Sequence, residues 1–191
     1  NAVASDPLLL KNYPNCTNGL VVSTKEYSEV LGYISTSNTP KDVAVYGGDI
    51  LNVDAINGYT NTSTLGDYSQ AKGYLDSYSV YYAQLYRKDS NGVAYKHNSA
   101  VSVPSSASPW YVPSYKELTY LSENIDAVNS SLANVGDNKK KTGYWLSSFK
   151  RYDKLEEIDV PCLFDMSTGT WGASMNGKYT TAAPVRVVLA F

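Results

Sequence analysis

Leu118, Leu121, Ile125, Val128 and Leu132 recur at alternating spacings of three and four, which places them on one face of a helix. Just before this run, Ser114 and Glu117 form S-x-x-E, a capping box in which each side chain satisfies an orphan backbone N–H of the first turn. Pro113, outside the cap, restricts Val112 to an extended shape. Asn124 and Asp126 are weak mid-helix residues, so the pattern predicts two short helices jointed there, with Gly136 as the stop. A second helical spacing joins Leu65, Tyr68, Ala71, Leu75 and Tyr78. It is entered through the polar turn Asn57-Gly58-Tyr59-Thr60-Asn61-Thr62. Gly66 and Gly73 interrupt this helix, each costing about 1 kcal/mol relative to Ala, and read as points of close packing. A further capping box, Ser23-x-x-Glu26, predicts a short helix through about Leu31.

Period-two and continuous apolar runs predict the strands. Val185–Phe191 is almost wholly apolar and β-branched, which is the pattern of a strand covered on both faces. It is expected in the middle of the sheet, beside a strand at Leu20–Ser23, so that the chain ends meet. Tyr144–Phe149 and Val160–Phe164 also read as strands. Ser167-Thr168-Gly169 reads as a turn and Thr170–Ala173 as its return strand. Asp42–Tyr46 is expected to be a short strand ended by Gly47-Gly48. Lys150–Asp159 is too charged to be buried and reads as a surface excursion. Asn176-Gly177 marks another tight turn. Residues 79–109 depart from this order and read as an insertion, with a hairpin signal at Asn91-Gly92 and a Ser/Pro-rich surface loop from Ser99 to Pro109. Residues 1–12 read as a tail or docking segment around Pro7-Leu8-Leu9-Leu10, and residues 13–191 as one domain. No internal repeat is visible.

Composition narrows the function more than it defines it. With 16 Lys and Arg against 18 Asp and Glu, there is no basic stripe of the kind nucleic acid demands. Lys139-Lys140-Lys141 reads as a solvated turn. No apolar segment approaches the roughly 20 residues of a membrane span. The start lacks Met and a signal pattern, which reads as a mature or excised piece. His97 is the single histidine and sits in the insertion, so a base–nucleophile pair is not indicated. Glu156, Glu157 and Asp159 cluster among Lys150, Arg151, Asp153 and Lys154, and read as a solvated charged loop rather than a glycosidase pair. No phosphate loop or EF-hand spacing occurs. Cys16 and Cys162 are either a disulfide closing a long loop, which could contribute on the order of 4–5 kcal/mol, or two small buried hydrophobes.

The order Trp110-x-x-Pro113-Ser114-x-x-Glu117-Leu118, helix, Gly136, Tyr144-Trp145-x-Ser147-Ser148 resembles the C-type-lectin-like domains at the C-termini of surface and fimbrial proteins of gut anaerobic bacteria. Phe164-Asp165-Met166, Gly169, Lys178 and Val185–Phe191 follow in the family's order. Upstream, Asn15–Val22 and Asn57-Gly58-x-x-Asn61-Thr62 also match. The resemblance covers roughly residues 14–78 and 110–191. Leu146 intervenes where a typical member has Tyr-Trp-Ser-Ser. The resemblance implies an α+β, C-type-lectin-like fold with two helices around a twisted, mainly antiparallel sheet. The calcium loops of lectins with this fold carry Glu-Pro-Asn or Gln-Pro-Asp followed by Trp-Asn-Asp. None of these stands here, so neither a bound metal nor a cofactor is expected. The catalytic cysteines of the formylglycine-generating enzymes, which share the general fold, are absent too.

The expected function is therefore non-enzymatic: an extracellular, cell-surface recognition or adhesion domain for a protein or glycan ligand. Its most specific form is the variable protein of a diversity-generating retroelement. The alternative is a structural fimbrial or cell-surface assembly subunit whose partners are other pilus subunits. The abundant Tyr, Ser and Asn suit recognition, and 18 Tyr are also enough to fill a core. Binding is expected on a face built from Tyr152, Trp171, Ser174, Met175, Asn176 and Tyr179.

Overall fold

The computed structural model describes residues 5–31, 45, 47–72, 103–135, 144–152, 158–166, 168–172 and 182–191. For 25–31, 69–70, 72, 144–152, 158–163, 171–172 and 182–184 only the backbone is described. The architecture is α+β. In chain order the elements are α1 (Pro7–Asn12), β1 (Leu20–Leu31), α2 (Gly58–Lys72), α3 (Tyr115–Glu123), α4 (Ile125–Ala133), β2 (Tyr144–Tyr152), β3 (Ile158–Asp165), β4 (Thr170–Gly172) and β5 (Ala182–Ala190). Two antiparallel sheets result, β1–β5 and β2–β3–β4, and β2 also runs close to β5.

The C-terminal strand is central. Leu20, Val21 and Val22 of β1 pair with Ala190, Leu189 and Val188 of β5. On the other edge of β5, Tyr111 and Val188 exchange both backbone hydrogen bonds, at 2.8 and 2.9 Å, and Ser108 N–H donates to Ala190 C=O. Val185 through Ala190 are all buried, as a strand enclosed on both edges should be. Only Phe191 emerges, at 42% exposure. Arg186 stays inside by donating from Nη1 to Ser23 C=O.

Several expectations need correction. Ser23-x-x-Glu26 opens no helix: β1 runs unbroken from Leu20 to Leu31, with register shifts between Val22 and Glu26 and between Tyr27 and Val30. A capping box is worth a kcal/mol or so, and extended pairing along β5 outweighs it. The turn at Asn57–Thr62 is in fact the start of α2, which begins at Gly58. Within the segment expected as a tail or docking element, residues 7–12 form a helix with Leu9 fully buried, a detail that adds to that expectation rather than replacing it. The supposed surface loop before Pro109 carries buried Ala107 and Ser108, because it closes the free edge of β5. Of the charged segment 150–159, Lys150–Tyr152 belong to β2 and Ile158 and Asp159 to β3, with Arg151 and Asp159 as register partners; residues 153–157 lie outside the described residues.

Other expectations match. Asn124 separates α3 from α4. The turn before β4 holds Gly169 at φ 68°, with its N–H on Asp165 C=O. Pro161 pairs opposite Phe149, where β4, which reaches only Leu163–Asp165, does not flank β3. A residue without an N–H is tolerated at such an edge position. The expected strand at 42–46, apart from Val45 in a turn, lies outside the described residues. So do Gly73–Tyr78, His97, Lys139–Lys141, Gly136 and most of the insertion.

Candidate functional site

Tyr111 is the point where strand, helices and core meet. Its backbone bridges β5. Its ring is fully buried and meets Tyr59 edge-to-face at 5.8 Å, and Tyr59 meets Tyr13 in the same way at 5.8 Å. Leu9, Cys16, Val188 and Ala190 complete this core, with Leu121 packed against it. A second, smaller cluster joins Leu118 to Phe164 of β3. The described tyrosines Tyr59, Tyr68 and Tyr111 are thus interior residues.

The Tyr111 hydroxyl donates to Glu117 Oε1 at 3.0 Å. Glu117 Oε2 accepts from Ser114 N–H at 2.7 Å, and Ser114 Oγ accepts from Glu117 N–H. The capping box is therefore built as the sequence predicts. Its carboxyl, however, is completely buried. Burial pushes the Glu117 pKa up to about 7, although its hydrogen bonds from Ser114 and Tyr111 favour the charged form. Burial and the neighbouring carboxyl drive the Tyr111 phenol well above its ordinary value. These groups are sealed in the core, where they hold structure together and face no substrate space.

A second carboxylate joins two helices. Asp6 caps α1 by accepting from Leu8 and Leu9 N–H at 3.2 and 3.0 Å. Its Oδ2 also accepts from Thr60 N–H in the first turn of α2 at 3.0 Å, and Thr60 Oγ1 donates to Oδ1. Two helix N-termini thus share one buried carboxyl group. Thr62 extends this polar seam: its Oγ1 accepts from Val112 N–H and donates to Val112 C=O. Thr62 in effect pairs with the segment that itself pairs with β5. Most of the buried polar groups of this helix thus bond to neighbouring backbone and side chains, Asn61 Oδ1 being an exception. The sequence marks these positions only as polar, so helical apolar spacing could not reveal them.

The predicted binding face is only partly placed. Tyr152 ends β2, and Trp171 lies in β4 opposite Phe164 in register; where their side chains point is outside the described residues. Ser174, Met175, Asn176 and Tyr179 also lie outside them. Cys16 carries a free thiol that donates to Ser106 C=O at 3.3 Å. Burial raises its pKa. It fills the role of a small buried residue rather than half of a bridge to Cys162, which stands in β3 of the other sheet. Among the described residues no group of three or more His, Cys, Asp or Glu could hold a metal ion. No described helix is long and apolar enough to cross a membrane.

A cleft opens beside the Asp6 seam. Its cavity is about 460 Å³, lined by residues of the loop Asp49–Asn57, by Lys116 and Tyr120 of α3, and by Ser5, Pro7, Gly47 and Thr60. Asn57 Nδ2 donates to Asp49 C=O, Ser114 Oγ donates to Ala55 C=O, and Asn52 Nδ2 donates to Asp49 Oδ2 at 3.2 Å. These bonds fix the loop against α2 and α3.

No family model matches the chain. A curated protein of Bacteroides ovatus, provisionally named fimbrium tip subunit Fim1C, is 28% identical over a 197-residue alignment. That alignment takes in 91% of this chain and 34% of the relative, so the chain spans about a third of the relative's length. Among solved structures, a fimbrial protein from Bacteroides ovatus superposes on 98% of this chain and 39% of its own, with a TM-score of 0.62 and 20% sequence identity. At that identity the likeness is one of fold.

Proposed function

We propose that this chain is part of a fimbrial subunit displayed at a bacterial cell surface, built on a C-type-lectin-like fold and acting without catalysis. The alignment with a fimbrium tip subunit along 91% of the chain carries this reading, and the fold-level likeness to a fimbrial protein supports it. The ordered sequence elements from Trp110 to Phe191 supply the C-type-lectin-like assignment. Its partners are other pilus subunits. The interior of the described part holds edge-to-face Tyr pairs and buried carboxyl groups, so contact with partners or ligand falls to loops and edges.

Within that setting, the finer role is recognition of a protein or glycan through the face of Tyr152, Trp171, Ser174, Met175, Asn176 and Tyr179. β2 ends at Tyr152 and β4 at Gly172 of the same sheet, and with strands about 5 Å apart the segments that follow them can form one continuous patch. Exchange of residues in this region by a diversity-generating retroelement is the most specific version. A reverse-transcriptase gene with a near-copy of the coding segment for 145–191 beside this gene is its test.

Deleting the coding region in the native bacterium separates recognition from assembly. Fimbriae that still form, as seen by electron microscopy, but no longer adhere place the domain in recognition. Loss of the fimbriae themselves places it in assembly. Absence of the protein from sheared surface fractions would reject both. If the recognition face is as stated, a folded Trp171→Ala, Tyr179→Ala variant loses ligand affinity.

A further inference from the structure

The cleft between the Asp49–Asn57 loop and α3 is lined by none of the six residues of the face just named. We infer that it is a binding site for a neutral, hydroxyl-rich ligand, a saccharide of one or two rings.

The size fits: about 460 Å³ lies within the usual range of small-molecule sites. The charge balance excludes the simpler ions. Among the described lining residues, Asp49 and Asp54 stand against one cation, Lys116, a balance that disfavours a phosphate or sulfate. A calcium ion needs about six to eight oxygen ligands, and no metal-binding cluster forms among the described residues. What the cleft does offer is a mixture. Asp49 and Asn52 stand side by side, joined at 3.2 Å, and present a carboxylate and an amide in one row. Such a row both accepts from and donates to adjacent hydroxyls. Asp54 adds exposed acceptors at the rim. From α3, Lys116 supplies donors and Tyr120 a half-buried ring to the same lining, with Lys116 Nζ 5.5 Å from the ring centroid. Half-buried Ala55 and Ile56 give the apolar surface on which C–H faces of a sugar can rest. Carboxylate, amide, ammonium and aromatic groups together match a polyol's alternating O–H and C–H surface better than they match a peptide cation or a lipid.

The site is also preorganised. Lys116 and Tyr120 are one turn apart on a helix with a complete capping box. The loop is held by Asn57 and Ser114 through bonds that no ligand needs to form. A ligand therefore does not meet the cost of ordering the walls.

The test uses the isolated protein in solution, so it does not depend on the fimbrial reading. Glucose, galactose, mannose, N-acetylglucosamine, N-acetylgalactosamine and lactose are titrated separately, with binding followed by calorimetry and by backbone amide shifts. At least one sugar should bind saturably and move amides of 49–57 and 116–120. Asp54→Ala and Tyr120→Ala change exposed or half-exposed side chains and should each weaken binding by about tenfold or more, the effect of losing one charged or stacked contact, with an unchanged circular dichroism spectrum. Trp171→Ala should bind as before. The inference is overturned if none of the sugars binds saturably, if both cleft variants bind unchanged, or if a chelator abolishes binding. A spermidine or lysine-amide titration that moves the same amides more strongly than every sugar would also overturn it, in favour of a cationic ligand.

Discussion

A Cβ placed on Gly58 would stand 2.1 Å from Glu117 Oε2. The first residue of α2 and the third of α3 are thus packed backbone against carboxyl, with Ser114 N at 2.8 Å and Tyr111 Cε2 at 3.0 Å from the same point. Glu117 cannot swing aside without abandoning both Tyr111 and its capping bond. Gly58→Ala should therefore cost more than an ordinary glycine replacement, about 2–4 kcal/mol, in the range of overpacked cores. Chemical denaturation checks this. A loss under about 0.5 kcal/mol would mean that the two helix starts separate easily.

The same carboxyl makes stability depend on pH. Its folded pKa of about 7 lies above the ordinary 4.5, so the native state holds a proton that the unfolded chain releases between those values. Stability from this group is full below about pH 4.5 and is lost as pH rises towards 7, an effect on the order of 3 kcal/mol. Glu117→Gln keeps an acceptor for Ser114 N–H and cannot ionise. The difference in unfolding free energy between variant and parent should shift in favour of the variant as pH rises from 4.5 to 7. Parallel pH profiles would contradict the buried, proton-holding carboxyl.

Asp6 serves two helices at once, so its removal should exceed the loss of one cap. Asp6→Ala should destabilise by about 2–4 kcal/mol, against about 1 kcal/mol for a single N-cap. In a double-mutant cycle with Thr60→Val, the two losses should fall well short of adding. Full additivity would show that the shared bonds contribute nothing.

Leu189 tests the central strand. It is 5% exposed and lies opposite Val21. Leu189→Ala should cost about 2–5 kcal/mol. A loss below 1 kcal/mol, read from the denaturation midpoint at constant slope, would argue against an enclosed β5.

The sequence by itself determined the elements whose signals are local or one-sided. The box Ser114/Glu117 lies within one turn. The joint at Asn124 reflects residues that weaken a helix wherever they stand. The unbroken apolar run Val185–Ala190 demands cover on both faces whatever supplies it. Only the tertiary structure decided the rest. Ser23-x-x-Glu26 carries the same box signal as Ser114-x-x-Glu117, yet it lies in a strand, because β5 offers a long backbone ladder to 20–31 and nothing comparable to 114–117. Asn57–Thr62 reads as a polar turn because the partners of Thr60 and Thr62, Asp6 and Val112, are distant in sequence. With those partners in place, the same residues become the buried start of a helix. Glu117 shows the division within one side chain. Its spacing from Ser114 announces a cap, while its burial, its proton and its conflict with any side chain at 58 come from Tyr111 and Gly58, brought to it by the fold.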